Sequence, residues 1–367
     1  MKKWTEHTKY SFTDELLNHT FTENAIFFDI ETTGFSPAYT QLYLIGCARR
    51  KGDTVIIEQF FAESKEDEKQ ILSSFLELLK EYPTIITFNG IGFDIPYLKA
   101  KCDAYGLTED FSSKDYVDIF KIVSSFKFLL KLPNYKQKSL ESFLGIHRED
   151  TFDGGELVNI YKEYVKNPTE YQMFSLKQHN YEDVLGMLEL IPILSYSNFF
   201  MGGYSIVSIE GSTSTSMDGD TQKELIFSLK NDVPVPKRVS FGYKDFYLTC
   251  HGPDAKIAVR LYDGELKFFF EHYEDYYYLP EEDTAVHKSV ASYVDRDYRK
   301  KATASTCYTK KTSLFVPQYD AIMSPAFREK YNDKKSYFEL SEDFTDSDIM
   351  LRRYVTHILK LMMNGKK

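Results

Sequence analysis

Five residues in three short segments have the types and spacing for joint chemistry. "FFDIETTG" carries Asp29 and Glu31, "TFNGIGFDIP" carries Asp94, and "QHNYEDVLGML" carries His179 and Asp183. Alternation along a strand sends Asp29 and Glu31 to one side and Ile30 to the other. His179 and Asp183 are four apart, so on a helix they share a face. Carboxylates beside a run as apolar as "NAIFF" are expensive to bury unless a cation sits with them. Four carboxylates and a histidine make a hard, oxygen-rich donor set that suits two divalent ions, Mg²⁺ or Mn²⁺; zinc would want cysteine or more histidine. Two such ions about 4 Å apart can activate a water on one side and stabilise a leaving oxygen on the other, which is how phosphodiesters are cut. A histidine titrating near pH ~6.5 can take the water's proton at neutral pH.

The surrounding elements must bring these segments together. "AIFFDIE", "QLYLIGCARR" and "TVIIEQFFA" read as strands, the last two split by the turn "KGD". "SKEDEKQILSSFLELLKEY" opens with a Ser-x-x-Asp cap and repeats apolar residues at helical spacing. "PTIITFNG" is a short buried strand, "DIPYLKAKCDAYG" a helix, "DYVDIF" another short strand, and residues 119–200 are mostly helical. Residues 1–22 read as an irregular lead-in. The expected architecture is α/β, a mixed sheet with helices packed on it. Composition then shifts to Gly, Ser and Thr. This sets the expected boundaries: a first domain over 1–202, a linker over 203–222, and an α+β domain with an antiparallel sheet over 223–367. In that second domain "LYDGEL" offers an Asp-Gly hairpin turn, and residues 285–302 and 346–363 read as helices.

A length of 367 residues suits two domains, and 43% hydrophobic with 27% charged residues is ordinary for a globular protein. The net charge of −10 excludes a general basic coating, so a polyanionic substrate would need local neutralisation by ions or a restricted basic patch. No apolar run is long enough for a membrane span, and no signal peptide follows Lys2 and Lys3. Cys47, Cys102, Cys250 and Cys307 are too scattered for a ligand set and read as reduced thiols, pointing to the cytoplasm.

Asp-x-Glu, then Asn-x-x-x-Phe-Asp, then His-x-x-x-Asp resembles the three exonuclease motifs of the DEDD superfamily, on the ribonuclease H-like fold. Within it the chain is similar to the YprB-type ribonuclease H-like domain proteins of bacteria. "FDIETTGFSP", "LYLIG", "FNGIGFDIPYL", "LPNYKQKSLESFLGI" and "HNYEDVLGML" fall in that family's order, over roughly residues 24–196. The resemblance implies a 3′–5′ exonuclease on single-stranded DNA or RNA. It implies that Asp29 bridges both metals and that Glu31, helped by Asp183, holds the metal carrying the attacking water. Asp94 would hold the second metal through water, and His179 would be the general base. Thr32 and Gly34 would lie along the terminal nucleotide, and Asn89 and Phe93 would shape the slot beside it. One departure stands out. The best-known branches place tyrosine four before the last Asp, or histidine five before it; here His179 is four before and Gln178 five before. One residue turns a helical side chain by roughly 100°.

Rival readings remain open at this stage. One is a catalytically silent nucleic-acid- or protein-binding module on the same fold; another is a ribonuclease H-type endonuclease. A haloacid-dehalogenase phosphatase would need Asp-x-Asp and fits Glu31 poorly. Asp118 reads as a satisfied buried acid or a helper of the site. Lys136 and Lys138 read as phosphate contacts or a solvated face. The resemblance does not reach the second domain. There, residues 287–311 hold seven Lys or Arg against two Asp, with Tyr293, Tyr298 and Tyr308 interleaved. Basic residues with aromatics can contact nucleic acid, and a solvated face with core tyrosines explains the same letters.

Overall fold

Long apolar runs in the first half of the chain pair into one twisted sheet. In the computed structural model of the protein, residues 1–150, 152–215 and 221–365 are described. The chain divides into two compact units, Met1–Phe199 with Val235–Lys237, and Phe200–Pro234 with Arg238–Lys367.

The first unit runs β1 (Lys2–Lys9), α1 (Glu15–Thr20), β2 (Ala25–Thr32), β3 (Leu42–Lys51), β4 (Thr54–Phe61), α2 (Glu68–Leu79), β5 (Thr84–Thr87), α3 (Asp94–Tyr105) and β6 (Asp115–Asp118). Six helices follow: α4 (Ile119–Ser124), α5 (Lys127–Leu130), α6 (Gln137–Leu144), α7 (Gly154–Lys166), α8 (Glu170–Leu190) and α9 (Ser195–Phe200). The six strands form one mixed sheet in the order β1-β4-β3-β2-β5-β6. β1 to β4, β4 to β3 and β3 to β2 pair antiparallel, and β2 to β5 and β5 to β6 pair parallel. This is the expected α/β architecture. The lead-in is a correction. Lys2–Lys9 is the edge strand on β4, and its charged, alternating letters suit an edge with one face wet.

Each sheet face carries its own apolar layer. Ile26, Phe28 and Ile30 of β2 pack with Ile71, Leu72 and Phe75 of α2 and Leu98 of α3. On the other face Tyr43 and Phe61 pack with Leu157, Tyr161 and Tyr164 of α7 and Leu176 of α8. The central strand β2 is thus buried on both sides. α8 starts with a capping box, in which Thr169 and Gln172 satisfy each other's backbone N–H groups.

The second unit holds three three-stranded sheets. β7 (Tyr204–Thr215), β8 (Thr221–Tyr243) and β9 (Phe246–Arg260) form one, in that order. β10 (Tyr262–Phe269), β14 (Tyr308–Gln318) and β15 (Ser336–Glu339) form another, and β12 (Thr284–His287), β11 (Tyr276–Leu279) and β13 (Lys300–Lys301) the third. α10 (Lys288–Ala291), α11 (Glu342–Thr345) and α12 (Asp348–Asn364) complete it.

Three expectations for this half are corrected. Residues 204–215 are not a linker; they pair antiparallel with β8, while positions 216–220 of that expected linker lie outside the described residues. Thr is a good strand residue, and an exposed strand needs no apolar face. Asp263-Gly264 is not a hairpin turn but lies inside β10, opposite Leu314 and Ser313. The helix expected over 285–302 is only the single turn α10; Val290, Tyr293 and Tyr298 stay exposed, so no apolar stripe holds a longer one. Among the described residues no helix is long and apolar enough to cross a membrane. All four cysteines are unpaired and buried.

Candidate metal centre

The acids converge at the end of β2. Asp29 and Glu31 share the side facing α8, with Ile30 in the opposite apolar layer. Nδ2 of Asn180 donates to Asp29 at 3.1 Å. Glu31 accepts the Tyr43 hydroxyl at 3.3 Å, and its other oxygen lies 3.5 Å from Nε2 of His179. One turn further along α8, Asp183 lies 3.1 Å from the same Nε2. Ligand atoms of Glu31, His179 and Asp183 all fall within 4.8 Å of one another. Asp94 is tied in from the other side, where its Oδ1 accepts the backbone N–H of Ile30 at 3.2 Å. It is not the cap of α3; Phe93 holds that position without a capping hydrogen bond.

Small residues let the helices approach this closely. A Cβ on Gly46 of β3 would stand 2.0 Å from the Asn180 carbonyl oxygen. That oxygen accepts from Gln59 of β4 at 3.0 Å, so one amide joins β4, α8 and Asp29. Gly186 makes the same allowance for Glu141 of α6. The turn before α3 is built on Asp118, which accepts the N–H groups of Asn89, Ile91 and Lys121 at 3.0, 3.2 and 3.0 Å. Asn89 there adopts a left-handed φ of 64°. Asp118 is therefore a satisfied buried acid, although its charge also acts on Asp94.

The electrostatics are strained among the acids. Burial, then the charges of Asp183, Asp94 and Glu31, push Asp29 well above the usual carboxylate range against one hydrogen bond from Asn180. Burial raises Glu31 to about 7, with His179 opposing. Burial also raises Asp94 to about 7, against hydrogen bonds from its own and the Ile30 N–H. Asp183 goes the other way, because His179 and Arg148 outweigh its burial. Burial disfavours charge on His179, yet Asp183, Glu31 and Asp150 outweigh it and raise the ring to about 9. Hard oxygen donors crowded until they resist ionising are what divalent cations relieve, so the donor set fits the ions expected from the sequence.

The sequence reasoning missed the loop after α6. Arg148 there forms ion pairs with Asp183 and with Glu141. Asp150 meets Nδ1 of His179 at 2.6 Å. No motif marks these two; the only signal is the charge density of "HRED" just before the Asp153 cap of α7. Lys138 binds Asp150 at 2.9 Å rather than standing free, while Lys136 precedes α6. The Thr32 hydroxyl donates to the Gly34 carbonyl at 2.9 Å, directly beyond Glu31. Phe93, next to Asp94, stacks edge-on to the exposed Phe35 at 6.0 Å. Thr32, Gly34, Asn89 and Phe93 thus adjoin the acids in the chain.

The chain is 47% identical over 45 residues to the DNA polymerase of Methanocaldococcus jannaschii, which is 12% of this chain and 3% of that protein. It is 25% identical over 151 residues to DNA polymerase 1 of Aeropyrum pernix, covering 37% of this chain and 14% of that one. The chain thus spans only a small part of these curated relatives. Among solved structures it is similar to the family B DNA polymerase of Pyrobaculum calidifontis, at 17% identity and a TM-score of 0.38, covering 68% of this chain and 35% of that one. Residues 26–195 match the family model described as RNase_H superfamily, so this stretch of the chain is similar to ribonuclease H-like domains.

Proposed function

We propose that the ribonuclease H-like domain is a divalent-ion-dependent nuclease of the DEDD type, a 3′–5′ exonuclease on single-stranded DNA or RNA. The observation that carries this is the convergence of Asp29, Glu31, Asp94 and Asp183 around His179, with three of the acids held above their ordinary pKa. These four acids would hold two Mg²⁺ or Mn²⁺ ions. When bound, such ions supply a water that ionises at neutral pH and positive charge for the phosphate.

The chain's own groups do the rest. His179 presents Nε2 to the cluster and takes the proton of the attacking water there. The water oxygen bonds to phosphorus, and the bond from phosphorus to the leaving 3′ oxygen breaks. Asp183, Glu31 and Asp150 raise the ring to about 9, so Nε2 would accept a proton at neutral pH only where positive charge beside Glu31 and Asp183 offsets them. Asn180 fixes Asp29, and the Ile30 N–H fixes Asp94, so the donors do not reorganise during the step. Thr32, Gly34, Asn89 and Phe93 border the terminal nucleotide.

A second reading, a silent binding module, is favoured by one contact: Arg148 already neutralises Asp183. A 3′-labelled oligonucleotide with Mn²⁺ separates the two. Release of labelled mononucleotide, lost in Asp29→Ala without a fall in melting temperature, supports the exonuclease. Internal ladders support a ribonuclease H-type endonuclease, and intact DNA and RNA ends support the silent module.

A further inference from the structure

The two nitrogens of His179 have separate partners. Nε2 faces the acids, 3.1 Å from Asp183 and 3.5 Å from Glu31. Nδ1 faces away, 2.6 Å from Oδ2 of Asp150. The Asp150 side chain is 2% exposed, and it is held from several directions. Lys138 donates to Oδ2 at 2.9 Å, and the Phe152 N–H donates to Oδ1 at 3.1 Å. The Asp150 N–H itself donates to Glu182 of α8 at 3.0 Å, so the loop is anchored to the helix that carries His179. None of these contacts serves the acid cluster directly.

We propose that Asp150 is a positioning residue for His179, keeping a proton on Nδ1 so that Nε2 is the bare nitrogen turned toward the acids and the reacting water. A neutral imidazole carries one N–H, and an ionised carboxylate only accepts. Carboxylates face both nitrogens, but the Asp150 contact at 2.6 Å is shorter than the 3.1 Å from Nε2 to Asp183, so the geometry favours the Nδ1–H tautomer. The other tautomer, with its proton on Nε2, presents a donor to the water and cannot take its proton. Lys138 helps to keep Asp150 ionised: burial opposes its charge, and the hydrogen bond from Lys138, with His179 and the Phe152 N–H, together hold it below the usual range. The kinetic consequence rests on the nuclease reading; the tautomer does not.

The test reads both. Full-length protein with ¹⁵N-labelled histidine is examined by long-range proton–nitrogen correlation, above the ring's raised pKa so that it is neutral, with His179→Gln assigning the signal among the eight histidines. Wild type is expected to show Nδ1 protonated and Nε2 bare. Asp150→Ala should shift the ring toward the Nε2–H form and lower kcat about 10- to 100-fold at nearly constant KM, as partners behind a functional histidine do. Asp150→Asn, closer in size, serves if the alanine variant misfolds, and it should also lose the single-tautomer signal. An Nε2–H ring in wild type overturns the proposal. So does a variant whose tautomer and kcat both match wild type, or one that loses kcat with its tautomer unchanged. Absence of activity in wild type overturns the nuclease reading instead and leaves the tautomer to be read on its own.

Discussion

Asp29 lies within β2 and Asp283 at the turn between β11 and β12, and the surroundings of these two carboxylates are opposite. Asp283, at a left-handed φ of 50°, accepts the hydroxyls of Tyr278 and Tyr308 and the ammonium of Lys310, and those hydrogen bonds hold it well below the usual carboxylate range. Asp29 has one amide donor and three acids for neighbours, and burial with their charge holds it well above that range. The first is finished structure. The second keeps its charge at neutral pH only with something cationic beside it. Burial together with the partner set separates an acid that builds a fold from an acid that serves a site.

The sharpest way to break this comparison is Asp29→Asn. On the proposed nuclease reading, in which Asp29 serves both ions, this change should cut activity by at least about 10³-fold, because ions of this kind supply several kcal/mol at the transition state. In metal-free protein the same change removes one charge from a repelling cluster and should raise stability by about 1–2 kcal/mol in a chemical denaturation curve. A loss of stability would mean that Asp29 is as satisfied as Asp283.

Acidity and ions give the next largest effect. Glu31 and Asp94 titrate near about 7 and His179 near about 9, each above its ordinary value. Each group therefore binds its proton more tightly in the folded chain than in the unfolded one. The resulting stability is complete below the ordinary pKa values and is lost as pH rises through the raised ones. The melting temperature of metal-free protein should fall between pH 5 and 9. Millimolar Mg²⁺ should restore it, more at pH 8 than at pH 6. EDTA should reverse the gain, and a flat profile with no ion response would remove the case for repulsion.

Packing supplies a smaller effect. Gly46→Ala puts a methyl group 2.0 Å from the Asn180 oxygen, so α8 or the amide must move. We expect a loss of about 1–3 kcal/mol in stability and a drop in kcat, as overpacking of a tight contact does.

What could be read from the letters follows from these same contacts. Asp29 with Glu31, and His179 with Asp183, were legible as pairs because strand alternation and helical spacing fix which residues share a side, while Asp94 joined them only through the order of the three motifs. Arg148 and Asp150 were not, because their loop has no period and its direction is set by tertiary contacts with α8. The core strands β2 to β5 announced themselves by apolar runs. β1 did not, because an edge strand can carry lysine and glutamate. The exposed Ser and Thr of β7 had the composition of a linker, and only their pairing with β8 makes them a strand. In residues 287–311, Tyr308 is buried and bonded to Asp283, whereas Tyr293 and Tyr298 are exposed, a split that the letters alone do not carry.

Asp283→Asn is the smallest effect and the mirror image of Asp29→Asn. It weakens three hydrogen bonds to a charged acceptor, from Tyr278, Tyr308 and Lys310. Hydrogen bonds to charged groups contribute about 1.5–3 kcal/mol where they are buried. Here the carboxylate is 40% exposed, so water replaces much of what is lost. A net loss of about 1 kcal/mol is expected once that screening is counted. Nuclease activity, its Mn²⁺ dependence and the response of the melting temperature to Mg²⁺ should all stay as in wild type. Tyr308→Phe removes one of the same bonds, so the double variant should lose less than the sum of the single losses. Full additivity would show that the tyrosine and the acid stabilise β14 separately, and Asp283 would then no longer serve as the satisfied counterpart of Asp29.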